Sequence, residues 1–216
     1  MRQQTFIKTL GFSLLTATLL VGCGGSSTDT TGGMGNGQSG GNGGSSNQGA
    51  VSNILYLRDN HANYKEHGSA QIPAPVKDAN TKSITWTIAA TTEEGAIKLL
   101  EHLSLMGEAL LNDENPRAFD KLFLMEAYMK FNKYYTTSYE RSGTNVVIIK
   151  NAKTMCAYNI ISAHSDVVSS DFFGKGDIMN DYSTIAEGIL ASSVCNDVRS
   201  SLETYISQRQ RSRGIM

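Results

Sequence analysis

The chain is short of the features that announce a reaction. It has only three cysteines in 216 residues, and none stand in a CxxC pair, which argues against a thioredoxin-like redox site or a zinc ribbon. No zincin helix, no phosphate-cradling loop and no paired nucleophile and base can be found in the part of the chain able to fold. An excess of positive charge is lacking too: 19 Lys and Arg face 20 Asp and Glu. Nothing in that balance suits a nucleic-acid partner. Arg209, Arg211 and Arg213 cluster near the C-terminus, and read as a solvated tail that complements the negative pole of a helix.

Long apolar runs are also missing, apart from one at the start. Residues 1–22, MRQQTFIKTLGFSLLTATLLVG, place Arg2 and Lys8 ahead of an apolar segment that is short for a spanning helix. The quartet Leu20-Val21-Gly22-Cys23 resembles the lipobox of bacterial lipoproteins. That resemblance implies cleavage before Cys23, acylation of its thiol and of the new amine, and a membrane tether held by several acyl chains. Gly24 follows the cysteine where an aspartate would favour inner-membrane retention, so the expected location is the outer membrane of the cell envelope.

Residues 23–52 are rich in glycine, serine and asparagine and almost free of apolar side chains, so ordering them would find no offsetting burial. They read as a flexible linker spanning roughly 30 Å as a random coil. Gly35, Gly37 and Gly40 fit GxGxxG, and Gly37, Ser39 and Gly41 fit GxSxG. Neither match has the strand before it or the helix after it that the chemistry needs.

Residues 53–216 then form one domain's worth of chain. NILYLR at 53–58 is expected to be a strand, and SITWTI at 83–88 alternates polar and apolar residues with period two. Thr91 or Thr92 caps a helix carrying Glu93 and Glu94 in its first turn and an apolar stripe from Ala96 to Leu110. A second helix is expected from Pro116 to about Ser142, apolar on more than one side. TNVVIIK reads as a buried strand, and a helix follows to about Val168. SSDFFGKGDIMNDYS is turn-rich, with Phe172 and Phe173 as candidate partner contacts. A last helix begins near Thr184, spaced from Glu187 as in a capping box, and runs into the arginines. The expected class is α+β, a sheet of two to three strands packed on about four helices; a mostly α bundle is the alternative.

Cys156 lies on the stripe Cys156, Ile160, Ala163 and Val167, and Cys195 flanks the stripe of the last helix. In an oxidising compartment these two are expected to pair, with two buried free thiols as the alternative.

Two segments share a pattern. ITWTIAATTEEGAIKLLEHLSLM and VVIIKNAKTMCAYNIISAHSDVV both read strand, turn, helix, and align Ala90 with Ala152, Thr92 with Thr154 and His102 with His164. Two imidazoles on packed helices can converge on haem iron or copper, and Met106, one turn after His102, adds a thioether. Both histidines sit at the edges of their apolar stripes, so structural histidines bonded to a carbonyl or carboxylate are the competing reading. His61 and His67, near Asp59 and Glu66, match no metal-ligand spacing and read as surface-loop residues.

The segments EHLSLMGEALL, NPRAFDKLF and SAHSDVVSSDFFGKG resemble an uncharacterised family of small exported bacterial domains. Its members carry a histidine and methionine on one helix, an arginine and Asp-x-x-Phe on the next, and a His-Ala-type helix later. The resemblance covers roughly residues 84 to 176 and falls on His102, Met106, Arg117, Asp120, Phe123, His164 and Gly176; Ser165 stands where the pattern has alanine. It implies domain boundaries and no particular activity. The functional expectation is a lipid-anchored, non-catalytic module binding a small ligand, metal or haem, with an envelope interaction subunit or an enzyme without a recognisable motif as alternatives.

Overall fold

A computed structural model describes residues 53–114, 117–212 and 214. The leader, Cys23 and the linker with its two glycine motifs therefore lie outside the described residues, as do Asn115, Pro116 and Arg213.

The class is α+β, as expected. The described chain opens in a helix, α1, through residues 53–59, where a strand was expected. Asn53 and Leu57 are the buried positions, while Leu55, which a strand would set on the same face, is exposed, a pattern that fits a helix. Two three-residue strands follow, β1 (Tyr64–Glu66) and β2 (Val76–Asp78), then the long β3 (Ser83–Ala90). The helix α2 (Glu93–Leu111) comes next, with Thr92 Oγ1 accepting from the Gly95 amide at 3.1 Å and two glutamates in its first turn.

Helix α3 spans Lys121–Phe131, shorter at both ends than expected. Its start is fixed by Asp120, whose carboxylate accepts from the amides of Leu122 and Phe123 at 3.0 and 3.3 Å. Its end comes at Asn132, after which Lys133 takes a positive φ of 59°. The segment Tyr135–Ser142 is then strand β4, not helix. Tyr135 and Thr137 fit the pleat as well as Tyr135 fits the i+4 position from Phe131, and pairing to the next strand decides between them.

Strand β5 (Asn145–Ala152) leads through Thr154 into α4 (Met155–Val167), with Thr154 Oγ1 accepting from the Ala157 amide at 3.2 Å. The two segments with the shared pattern thus build the same unit twice: strand, threonine cap, helix. A π-helical turn (Val168–Phe173) continues α4, and it places Phe172 and Phe173 in the core. There Phe173 meets Tyr64 and Trp86 edge-on or tilted at under 6 Å, so neither phenylalanine is a surface contact.

The expected last helix is two, α5 (Ser183–Ala191) and α6 (Arg199–Ser212), with a 3-10 turn at Ser193–Cys195 between them. Thr184 lies inside α5 and caps nothing; Glu187 instead pairs with Lys121. Arg199 closes α5 by donating to the carbonyls of Leu190, Ala191 and Ser192, which the helix end leaves without partners. Cys195 sits on the 3-10 turn and is bonded to Cys156 in the first turn of α4, the two 39 residues apart in sequence and both fully buried. Arg209 is held against Asp113 rather than standing free in solvent.

The five strands form one antiparallel sheet in the order β1-β3-β5-β4, with β2 sharing the β3 edge. One face packs on the helices. Alternation along β3 buries Ile84, Trp86 and Ile88, and the register sets Trp86 beside Ile148 and Tyr139, and Ile84 beside Lys150 and Thr137. Helix α3 packs against α2, α4, α5 and α6, so it is covered on several sides. No described helix is long and apolar enough to cross a membrane.

Candidate functional site

Between the inner face of the sheet and the helices lies a cavity of about 420 Å³, lined by residues of α1, all three long strands, α2, α3, α4 and the segment after it. That size falls within the roughly 300–1,000 Å³ of pockets that enclose small molecules. The walls are aliphatic and aromatic: Leu57 from α1, Ile88 and Trp86 from β3, Leu99 and Leu103 from α2, and Phe172 from the π-helical turn. The Trp86 indole N–H is buried without a hydrogen-bond partner among the described residues.

His102, Met106 and His164 all line this cavity. The two histidines therefore line one cavity. Met106 packs against Leu110, Phe123 and Ala127. His164 presents Nδ1 to the carboxylate of Glu126, and its ring lies edge-on to Phe123 at 5.7 Å. A carboxylate-bonded histidine was the structural alternative for this position, and that is the arrangement present. Among the described residues no group of three or more His, Cys, Asp or Glu could hold a metal ion. His67, exposed after β1, bonds the Asn145 side chain at 2.9 Å as a surface-loop residue does, whereas His61 is half-buried on a 3-10 turn (His61–Asn63) and bonds the Arg58 carbonyl at 2.8 Å.

Glu126 is the centre of a polar floor. Its Oε1 accepts from Lys150 Nζ at 2.7 Å and from Tyr135 Oη at 2.9 Å, while Oε2 meets His164. The side chain is 3% exposed. Burial alone would push its carboxyl up, but His164 and Lys150 outweigh that and hold it well below the usual carboxylate range. Burial and the neighbouring Glu126 raise the Tyr135 and Tyr139 hydroxyls, so both remain protonated.

Lys130, one turn after Glu126 on α3, is 8% exposed and also lines the cavity. Its Nζ donates to Thr137 Oγ1 at 3.1 Å and stands 5.2 Å from the centroid of the Tyr135 ring. Burial and the ammonium of Lys150 lower its pKa. At the other end, Arg117 donates to the carbonyls of Ile178 and Asn180 and to Asp120. Through these bonds it anchors the segment that carries the cavity-lining Ile178 and Met179. Gly176, in that segment, has φ +70°, and a Cβ there would lie 2.7 Å from His61 Nδ1. The close approach of segment to loop needs glycine.

Glu126, Lys130, Lys150 and Tyr135 were not picked out by sequence reasoning, though a signal exists for one of them. Lys150 follows Val146 and Ile148 at period two, so it occupies an inward position on a buried strand. Glu126 and Lys130, four apart on a helix, look like an ordinary surface pair; only the burial of α3 on several sides gives them another meaning.

Chemically, a carboxylate fixing one imidazole nitrogen leaves the other to exchange a proton with whatever fills the cavity. Among the described residues no serine or cysteine lines the cavity. No family model, curated protein or solved structure matches the chain.

Proposed function

We propose that this is a lipid-anchored cell-envelope protein whose folded domain binds a small, largely apolar molecule inside the α+β core. The observation that carries the reading is the cavity itself: apolar walls enclosing a few convergent polar groups, with His102 and His164 among its lining. The tether rests on the resemblance of Leu20-Val21-Gly22-Cys23 to a lipobox, and the outer membrane on Gly24 after it. The likeness of residues 84 to 176 to small exported domains agrees with a location outside the cytoplasm, as does the Cys156–Cys195 pair. Of the ligand classes, an organic molecule fits better than a metal ion, because the polar floor pairs its histidine with a carboxylate and lysines rather than with further ligands. Haem remains a weaker form of the proposal, resting on His102 and Met106.

A second reading, an enzyme, is favoured by one observation, the Glu126–His164 pair facing the cavity. In that case His164 exchanges a proton on a bound substrate and Glu126 positions it.

The protein recovered from its native membranes under mild detergent tests the first reading. Native mass spectrometry should detect a non-covalent small molecule at near one per chain, absent from Leu103→Trp, which fills the cavity. Cys23→Ser should move the protein to the soluble fraction. An empty wild-type protein that also takes up no added apolar molecule contradicts the binding reading, and a Cys23→Ser protein that stays in the membrane contradicts the tether.

A further inference from the structure

The charge of the cavity floor says more about the ligand than its size does. Among the described residues lining the cavity the carboxylates are Asp120, Glu126 and Asp177; Asp120 is paired with Arg117, and the two oxygens of Glu126 are already taken by Lys150, Tyr135 and His164. Lys130 is left over. It makes no ion pair among the described residues, and its one hydrogen bond is to a neutral hydroxyl. Yet it is more than nine-tenths buried. Its ammonium and that of Lys150 stand 5.2 and 5.8 Å from the centroid of the same Tyr135 ring, so two cations flank one aromatic side chain with one carboxylate between them to share.

Burying an ammonium without an anion is costly, and proteins resolve that cost by pairing the charge or by losing the proton. A second cation beside it deepens the problem. A ligand that brought its own anion would resolve it by pairing, while its apolar part replaced empty space against Leu99, Leu103 and Trp86. Both halves of such a molecule have a matching region in one cavity.

We infer that the ligand is an amphipathic anion of the single-chain carboxylate class, its head at Lys130 and Lys150 on the polar floor and its apolar body along the helix and sheet walls. This rests on the proposed binding function and specifies its ligand. It also gives Lys130 a purpose that folding does not require, since an uncharged side chain would fill the same space at lower cost.

The full chain carrying Cys23→Ser, titrated calorimetrically with dodecanoate, 1-dodecanol and acetate, separates the possibilities. The inference expects dodecanoate to bind at least tenfold more tightly than dodecanol at pH 7, and acetate to bind too weakly to measure. In Lys130→Gln that preference should fall severalfold, with Lys150 still facing the head, and Lys130→Arg should keep it. Equal affinities for dodecanoate and dodecanol in the unsubstituted protein overturn the anion inference while leaving the cavity reading intact. A preference undiminished in Lys130→Gln overturns the assignment to Lys130. If neither long-chain compound binds, the cavity reading falls with it. Because the first comparison is made without substitution at Lys130, a Lys130→Gln chain that failed to fold would not shield the inference.

Discussion

Glu126 accepts from Lys150 and Tyr135 and lies against His164 from a position with almost no solvent. Removing it strands Lys150 and His164, so Glu126→Leu should cost about 3–5 kcal/mol, the range for breaking a buried pair by deleting one partner. The sign of its pH dependence follows from the direction of its shift. The folded-state carboxyl is held below its unfolded value, so its contribution is fully present above about pH 4.3, the unfolded value, and is lost as pH falls through the folded one. Urea denaturation midpoints measured from pH 7 down to pH 3 should therefore drop more steeply for the wild type than for Glu126→Gln. Parallel curves would show that Glu126 is not held ionised by its partners. Lys130 is the complementary residue on that floor, a buried cation where Glu126 is a buried anion.

At the scale of elements, the molecule repeats one unit, a strand turned by a threonine cap into a helix, and lays the two strands side by side as β3 and β5. That much was legible in the sequence, because period-two alternation, a capping threonine and a 3.6-residue stripe are local signals. The Cys156–Cys195 pair was expected, but not from where Cys195 sits: the supposed stripe of one last helix is broken there, and the cysteine lies on the 3-10 turn between α5 and α6. Strand β4 was not legible, because Leu124, Tyr128, Phe131 and Tyr135 continue a helical spacing across the turn at Asn132 and Lys133. Only the partner β5 shows that Tyr135 begins a strand. Helix α1 was misread for a related reason: six residues are too few to separate the two periods. The polar floor was hidden because Glu126 and Lys130 look like a surface pair until α3 is buried on several sides; only Lys150, at an inward period-two position on β5, carried a signal. The link between Cys156 and Cys195 closes a loop of 39 residues that includes the π-helical turn and α5. The double substitution to serine should cost about 3–4 kcal/mol in the chain-entropy account. Chemical denaturation with and without reductant should show the reduced wild type matching the double variant. A loss below about 1 kcal/mol would place the stabilisation elsewhere.

At the scale of the whole molecule, the proposed tether and the ligand-sized interior would together suit a task performed near a membrane, the holding or passing of an amphipathic molecule that water disperses poorly. The domain is built around that interior. Two packed units, a central helix and a segment pinned by Arg117 enclose it, and its lining joins residues far apart in sequence, from Ile54 to Tyr182. The chain supplies its own reporter, because Trp86 is its single tryptophan and lines the cavity. Titration with a chain-brominated dodecanoate, read by tryptophan fluorescence, tests the cavity most directly. The account predicts saturable quenching complete near one equivalent and reversed by unbrominated dodecanoate; quenching that rises without saturation, or none at all, would contradict it.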